Sequence, residues 1–302
     1  MTFDTDHLRT LAAVVDEGSF DAAARSLHVT PSAVSQRIKA LEQQVGGVVV
    51  QRSRPCLPTA AGEVLVRLAG QVDALARDAL AELGAVAGAQ PGGRRRLAVA
   101  VNADSLSTWF PAALVGLPED VLVDLRREDQ DLSAQLLRDG TVAAAVTAER
   151  RAVQGCRVRP LGSMRYVALA APDVRDRWFA DPDPDAHALA DVLGDVPAVA
   201  FNRADGLQHA FVQQVTRARP PLPLHYAPEQ GAFVALLRAG LGWGMVPEQA
   251  AAGELASGAL VDVAPGRWLD VPLFWQHWAL RTPTLDDLTE RVLRASRSLH
   301  RS

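Results

Sequence analysis

Residues 20–42 read FDAAARSLHVTPSAVSQRIKALE, and two helices separated by a tight turn are legible in them. Ser19 is placed to cap a helix from Phe20 to Leu27, in which Ala22, Ala23 and Ala24 permit close packing. After His28-Val29, Thr30-Pro31 supplies a capping hydroxyl and then a proline at the first helical position, where no N–H is needed. The second helix should run from Pro31 to about Val45 and stop at Gly46-Gly47. Val34, Ile38, Leu41 and Val45 make an apolar stripe along it, while Ser32, Ser35, Gln36, Lys39 and Gln43 share another face. Hydroxyls, amides and a cation are the groups that bond base edges and phosphates. Lys39 is the only lysine in the chain, and Arg37 lies beside this face within expected reach of a phosphate. For an isolated amphipathic helix such a face is merely solvated; a short helix, a three-residue turn and a capped second helix in succession form the helix-turn-helix pattern.

Working outward, Leu8, Leu11, Ala12 and Val15 recur at helical spacing before Gly18-Ser19. Val48 to Pro58 reads as a small hairpin, a wing carrying Arg52 and Arg54 near its tip. The 302 residues suffice for about two domains, and 48% hydrophobic with 22% charged residues is the balance of a globular chain. No apolar run approaches the roughly 18 residues of a membrane span, and the acidic N-terminus has no apolar signal core, so a cytoplasmic setting is expected. Cys56 and Cys156 are too few and too far apart for a disulfide scaffold or a zinc cluster; Cys56 reads as core filler. The net charge of −4 argues on average against DNA, but the average hides a division. Residues 1–19 carry −3, residues 20–58 carry +3, residues 59–96 carry +1 and the remainder −5. A basic segment joined to an acidic body suits a nucleic-acid-binding module fused to something else, and chance variation among small counts gives the same division.

The stretch from Phe20 to Glu42 resembles the helix-turn-helix of LysR-type transcriptional regulators. Within that family, Ser32 to Lys39 and Val101-Asn102-Ala103-Asp104-Ser105-Leu106 are similar to the lysine/arginine-exporter regulator branch. The resemblance implies an all-α winged helix-turn-helix over residues 1–58 and a linker helix for dimerisation over 59–87. A hinge over 88–96 and a two-lobed α/β effector domain of periplasmic-binding-protein type over 97–302 would follow. Its lobes would span about 97–164 with 270–302, and 165–269. On this basis Thr30, Ser32, Ser35, Gln36, Arg37, Lys39, Arg52 and Arg54 are the candidate DNA-binding residues. Operator DNA, a second or further copies of the chain (dimer or tetramer) and RNA polymerase are the implied partners, and no cofactor is expected.

The rest of the sequence fits. Leu65, Leu68, Val72, Leu75, Ala79 and Leu83 repeat almost as a heptad seam, either for pairing with a second copy or for burial in the chain's own core. Beyond Pro91-Gly92-Gly93, strands at Leu97–Val101, Val121–Leu125 and Val142–Val146 alternate with helices, and a second series begins at Tyr166–Ala170. This alternation predicts a parallel α/β sheet, with ligands beyond the strand C-termini. Those ends nominate Asn102, Asp104, Ser105, Glu128 with Asp129, Thr147, Asn202 and Asp205. Asp104 and Ser105 open a helix, either capping it or leaving its N–H groups for an α-carboxylate. Acids in a cleft suit lysine or arginine as effector; exposed loop acids that are only solvated read the same way. Trp109 would wall the cleft or sit in the core. Gly240 to Gly244 lacks the dinucleotide spacing and reads as a tight turn, no histidine grouping suggests a metal, and no catalytic constellation is present. A regulator of basic amino-acid export is therefore expected. The alternatives are a weakly specific nucleoid-associated protein, a solute-binding receptor or an enzyme.

Overall fold

The computed structural model describes residues 2–86, 95–127, 130–179, 186–217 and 219–301; Glu128, Asp129 and hinge residues 88–94 lie outside the described residues. The chain divides into two compact units. The first comprises Met1–Asn102, Ala112–Pro160 and Phe274–Ala295, the second Ala103–Pro111, Leu161–Leu273 and Ser296–Ser302. Against the expected lobes, residues 103–111 and 296–302 thus pack with the second body, and the winged helix packs with the first.

The first unit opens with α1 (Thr5–Asp16), α2 (Phe20–Ser26) and α3 (Pro31–Val45). Each start is fixed by an oxygen that takes a free backbone N–H: Asp4 accepts from Asp6 N at 2.8 Å, Ser19 from Ala22 N at 3.1 Å and Thr30 from Ala33 N at 3.2 Å. Gly46 ends α3 in the left-handed region at φ 77°. Leu8, Leu11, Val34, Ile38 and Leu41 close on one another, with Cys56 among them. Val45, counted on the apolar stripe, is 39% exposed, because the last turn of α3 runs past the core. The hairpin of β1 (Val50–Gln51) and β2 (Leu57–Pro58) leads into α4 (Ala60–Val86). The expected seam divides along this helix. Of the seam, Leu65 fills the winged-helix core with Val66 and Ala69 beside it and Leu68 packs against that core, whereas Leu75 and Leu83 are 47% and 65% exposed, as is neighbouring Leu80 at 67%.

The α/β part continues with β3 (Arg95–Val101), α5 (Ala103–Ser107), α6 (Pro111–Leu114), β4 (Val121–Arg127), α7 (Gln130–Arg138), β5 (Ala144–Thr147) and β6 (Cys156–Ala170). Then come α8 (Pro172–Trp178), α9 (Ala186–Asp195), β7 (Ala198–Ala200), α10 (Leu207–Thr216), β8 (Leu224–Tyr226), α11 (Gln230–Arg238) and β9 (Trp243–Pro247). Finally there are α12 (Glu248–Ser257), β10 (Val261–Asp262), β11 (Trp268–Trp278) and α13 (Pro283–Ala295). In the first unit β3 is parallel to β4 and β5, and β11 returns antiparallel on β5. In the second, β7 is parallel to β8 and β9, while β9 and β10 run antiparallel to β6. The pairing is mixed, not purely parallel.

Two other expectations need correction. The helix that Asp104 and Ser105 open does not run on through Leu114 as the apolar periodicity predicts: Phe110 N donates to Ser105 O at 3.0 Å, and Pro111 starts a separate turn of helix. The strand expected from Tyr166 begins ten positions earlier, at Cys156. Gly242 does make the tight turn. At φ 145° a Cβ there would meet Pro197 O at 1.8 Å, so only glycine fits.

Candidate nucleic-acid interface and effector site

On α3, Ser32, Gln36, Lys39 and Gln43 are exposed and Ser35 is half-buried. They share a face because the opposite stripe is held in the core by Val34, Ile38 and Leu41. Thr30 Oγ1 is occupied as the cap of the same helix. Arg37 is half-buried, and its Nη1 donates to Thr10 Oγ1 at 3.3 Å, tying α3 to α1. On the wing, Arg52 and Arg54 are exposed, and the Arg52 guanidinium lies 4.9 Å from the centre of the Phe20 ring. Such stacking holds an arginine in place without neutralising it.

In the second unit, Asp104, Tyr166 and Asp205 form an acidic cluster. Tyr166 Oη donates to Asp104 Oδ2 at 2.7 Å. Burial pushes the Asp104 carboxyl above the usual range; the tyrosine hydrogen bond opposes that shift and the charge of Asp205 adds to it. Tyr166 is itself buried and, beside two acids, keeps its proton well past the ordinary tyrosine range. No cation among the described residues forms an ion pair with Asp104. A carboxylate in such surroundings gains most from a positive partner. Ser105 is fully buried, and its Oγ has no hydrogen-bond partner among the described residues; the same holds for Trp109 Nε1, Gln208 Oε1 and Trp243 Nε1. Trp109 packs edge-on to Phe110 at 5.6 Å and is buried, the core alternative.

Asn202 and Asp205 serve the backbone first. Asn202 Oδ1 accepts from Ala204 N at 2.7 Å and Asp205 N at 3.0 Å. Asp205 accepts from Phe201 N at 2.8 Å, Leu207 N at 3.0 Å and Gln208 Nε2 at 3.4 Å. Together they build the turn that leads from β7 into α10. Since α5 has only five residues, its N-terminus offers a single turn of N–H groups for an anion.

In the first unit, Thr147 is buried, and its hydroxyl donates to Glu149 O at 3.2 Å while accepting from Gln276 Nε2 at 3.4 Å. Gln276, which the sequence did not mark, is the hub of this loop. Its Nε2 donates to the carbonyls of Glu149 and Arg151 at 3.0 Å each, and its Oε1 accepts from Val153 N at 3.0 Å. Asn102 is buried with Oδ1 unpartnered among the described residues. Glu128 lies outside the described residues. Half-buried Cys156 has its thiol pushed up to about 11 by burial, which keeps it protonated at neutral pH. Among the described residues no His/Cys/Asp/Glu group could hold a metal ion, and no helix is long and apolar enough to cross a membrane.

Comparison with known proteins bears on both regions. Residues 5–63 match the bacterial regulatory helix-turn-helix protein, lysR family, and residues 90–297 the LysR substrate binding domain. The lysine export transcriptional regulatory protein LysG of Corynebacterium efficiens is 40% identical over 295 residues, covering 97% of each chain. The crystal structure of ArgP from Mycobacterium tuberculosis shares 50% identity and superposes with a TM-score of 0.90 over 100% of both chains. Full-length LysG from Corynebacterium glutamicum with bound effector Arg shares 36% identity, with a TM-score of 0.78 over 99% of this chain and 100% of that one. An exposed polar recognition helix, an arginine-bearing wing and an α/β substrate-binding domain, matched over nearly the whole length, carry one conclusion: the chain belongs to the LysR family of transcriptional regulators, among the LysG and ArgP proteins.

Proposed function

We propose that this regulator senses a basic amino acid, arginine or lysine, and that Asp104 supplies the negative charge that selects it. The observation that carries the reading is the Asp104 carboxyl: half-buried, raised in pKa, bonded to the Tyr166 hydroxyl and faced by Asp205, with no paired cation among the described residues. A guanidinium or ammonium group entering there would replace the lost solvation of the carboxylate. The relative whose structure holds arginine and the relative named for lysine export support the same class of ligand. The reading makes the chain a non-enzymatic cytoplasmic protein controlling basic amino-acid export. It binds operator DNA through Ser32, Ser35, Gln36 and Lys39, with Arg52 and Arg54 on flanking phosphates. Exposed Leu75, Leu80 and Leu83 would be covered by a second copy, and RNA polymerase is its further partner.

Titration calorimetry with arginine, lysine and the neutral analogues citrulline and norleucine tests the effector. Arginine and lysine should bind and the neutral analogues should not. Asp104→Asn should lower the affinity for both cations by about 100-fold, the scale of losing one partner of a largely desolvated charge pair. Equal affinity for citrulline and arginine, or an unaffected Asp104→Asn variant, overturns the assignment.

A further inference from the structure

Glu63, Arg67, Gly70 and Asp78 of α4 follow steps of four, three and eight, so they lie along one side of the helix. That side is separate from Leu65, Val66 and Ala69, which the winged-helix core takes. Each member of the stripe meets the α/β part of the first unit. Gln135 Nε2 donates to Glu63 Oε1 at 2.9 Å, and Arg67 Nη1 donates to Arg138 O at 2.8 Å. The latter carbonyl ends α7, where helical acceptors lack an intrahelical partner. Gly140, at φ 78°, is glycine for a second reason: a Cβ there would stand 2.4 Å from Arg67 Cα. At Gly70 a Cβ would stand 3.0 Å from the Trp278 ring. Further along, Thr284 Oγ1 donates to Asp78 Oδ1 at 3.4 Å. The helix reached by Glu63 and Arg67 is itself seated in the core: Ala134 and Leu137 pack with Ala100 of β3 and Ala145 of β5. Permanent joints between domains are broad and apolar. The contacts along this stripe include three hydrogen bonds and two glycine approaches, and hydrogen bonds exchange for water at small net cost when a joint opens.

We propose that this stripe is a releasable clamp through which the α/β part of the first unit sets the position of the winged helix, and hence how DNA affinity answers the effector. It rests on the regulator reading above. Spin labels on the full-length chain at Asp21→Cys and Glu119→Cys, both exposed, in a Cys156→Ser background would measure the separation of the two parts; Cys56 is buried. Diluted into an excess of unlabelled chain, so that inter-chain distances drop out, the parent should give one narrow distance. Arg67→Ala with Gln135→Ala should broaden or displace it, Gly140→Ala should do so more strongly, and Arg67→Lys, which keeps a donor, should largely retain it. In the same double variant the ratio of DNA affinities with and without arginine should fall at least fivefold, within the usual range of coupling between sites. Calorimetric affinity for arginine should stay unchanged. A double variant with the parent's distance distribution overturns the clamp, and a displaced distribution with an unchanged affinity ratio overturns its role in coupling. A parent whose DNA affinity ignores arginine overturns the effector reading instead, and the distance comparison still decides the clamp.

Discussion

The outer face of α3 and the acidic cluster of the second unit both offer polar side chains, in opposite states of commitment. On α3, Ser32, Gln36, Lys39 and Gln43 stand in water, held only by the helix beneath them. In the second unit Asn202 and Asp205 have given their oxygens to backbone N–H groups, and Asp104 has given one to Tyr166. A surface that reads a polyanion can leave its groups solvated until the partner arrives, because a single helix register positions them. A small-molecule site must hold polar groups out of water, so most of them are spent on building the site and few remain for the ligand.

That contrast can be broken most severely at Asp205. Replacing it by alanine removes the acceptor that Phe201 N and Leu207 N use and the weaker of the two acceptors of Gln208 Nε2, and should cost about 3 kcal/mol of stability in denaturant melts. Asp104→Asn should change stability by less than about 1 kcal/mol while it lowers effector affinity about 100-fold, since it takes away an uncompensated charge. Equal destabilisation by the two would erase the distinction between the building acid and the binding acid. On α3, Gln36→Ala should leave the melt unchanged and reduce the preference for operator over random DNA by about tenfold, read by competition binding.

A pH series sharpens the role of Asp104. Its pKa is raised in the folded chain, chiefly by burial, so ionising it costs stability: the benefit of the protonated form is full below the unfolded value and disappears as pH rises through the folded value. A cationic effector needs the ionised form. Binding should therefore release a proton at acid pH, and affinity should climb with pH through the raised pKa and then level off. Asp104→Asn should flatten that climb. The smallest effect is expected at Lys39: replacing it by alanine should reduce the salt dependence of DNA binding by about one phosphate contact per protomer, across all sequences alike.

Much of the first region was legible because its information is local. Ser19, Thr30, Pro31 and Gly46 occupy the positions that start and stop helices, and the structure uses each of them so. The bond from Arg37 to Thr10 is not legible, because the neighbours of Arg37 on the helix say nothing of a residue 27 positions away. The seam on α4 was visible, but not its division, which depends on where the winged-helix core ends. In the effector domain the strands and several helices could be read, whereas α8, α9 and α12 passed unnoticed. In α12 only Ala251 is buried, so small residues carry no apolar stripe to detect. The site itself was read only in part. Asp104 and its partner Tyr166 are 62 positions apart, and a tyrosine opening a buried run looks like any other core residue. Gln276 gave no signal, since a fully buried amide in an aromatic strand is intelligible only once the Glu149, Arg151 and Val153 backbone is placed around it.

One chain thus joins a DNA-reading helix-turn-helix to a domain read as a sensor of basic amino acids. Operator binding by the full-length protein, measured at fixed salt with and without saturating arginine and with citrulline as the neutral control, tests both halves together. Arginine should change the affinity or the footprint, citrulline should not, and in Asp104→Asn the change should need about 100-fold more arginine. Identical binding curves and footprints under all three conditions would contradict this reading.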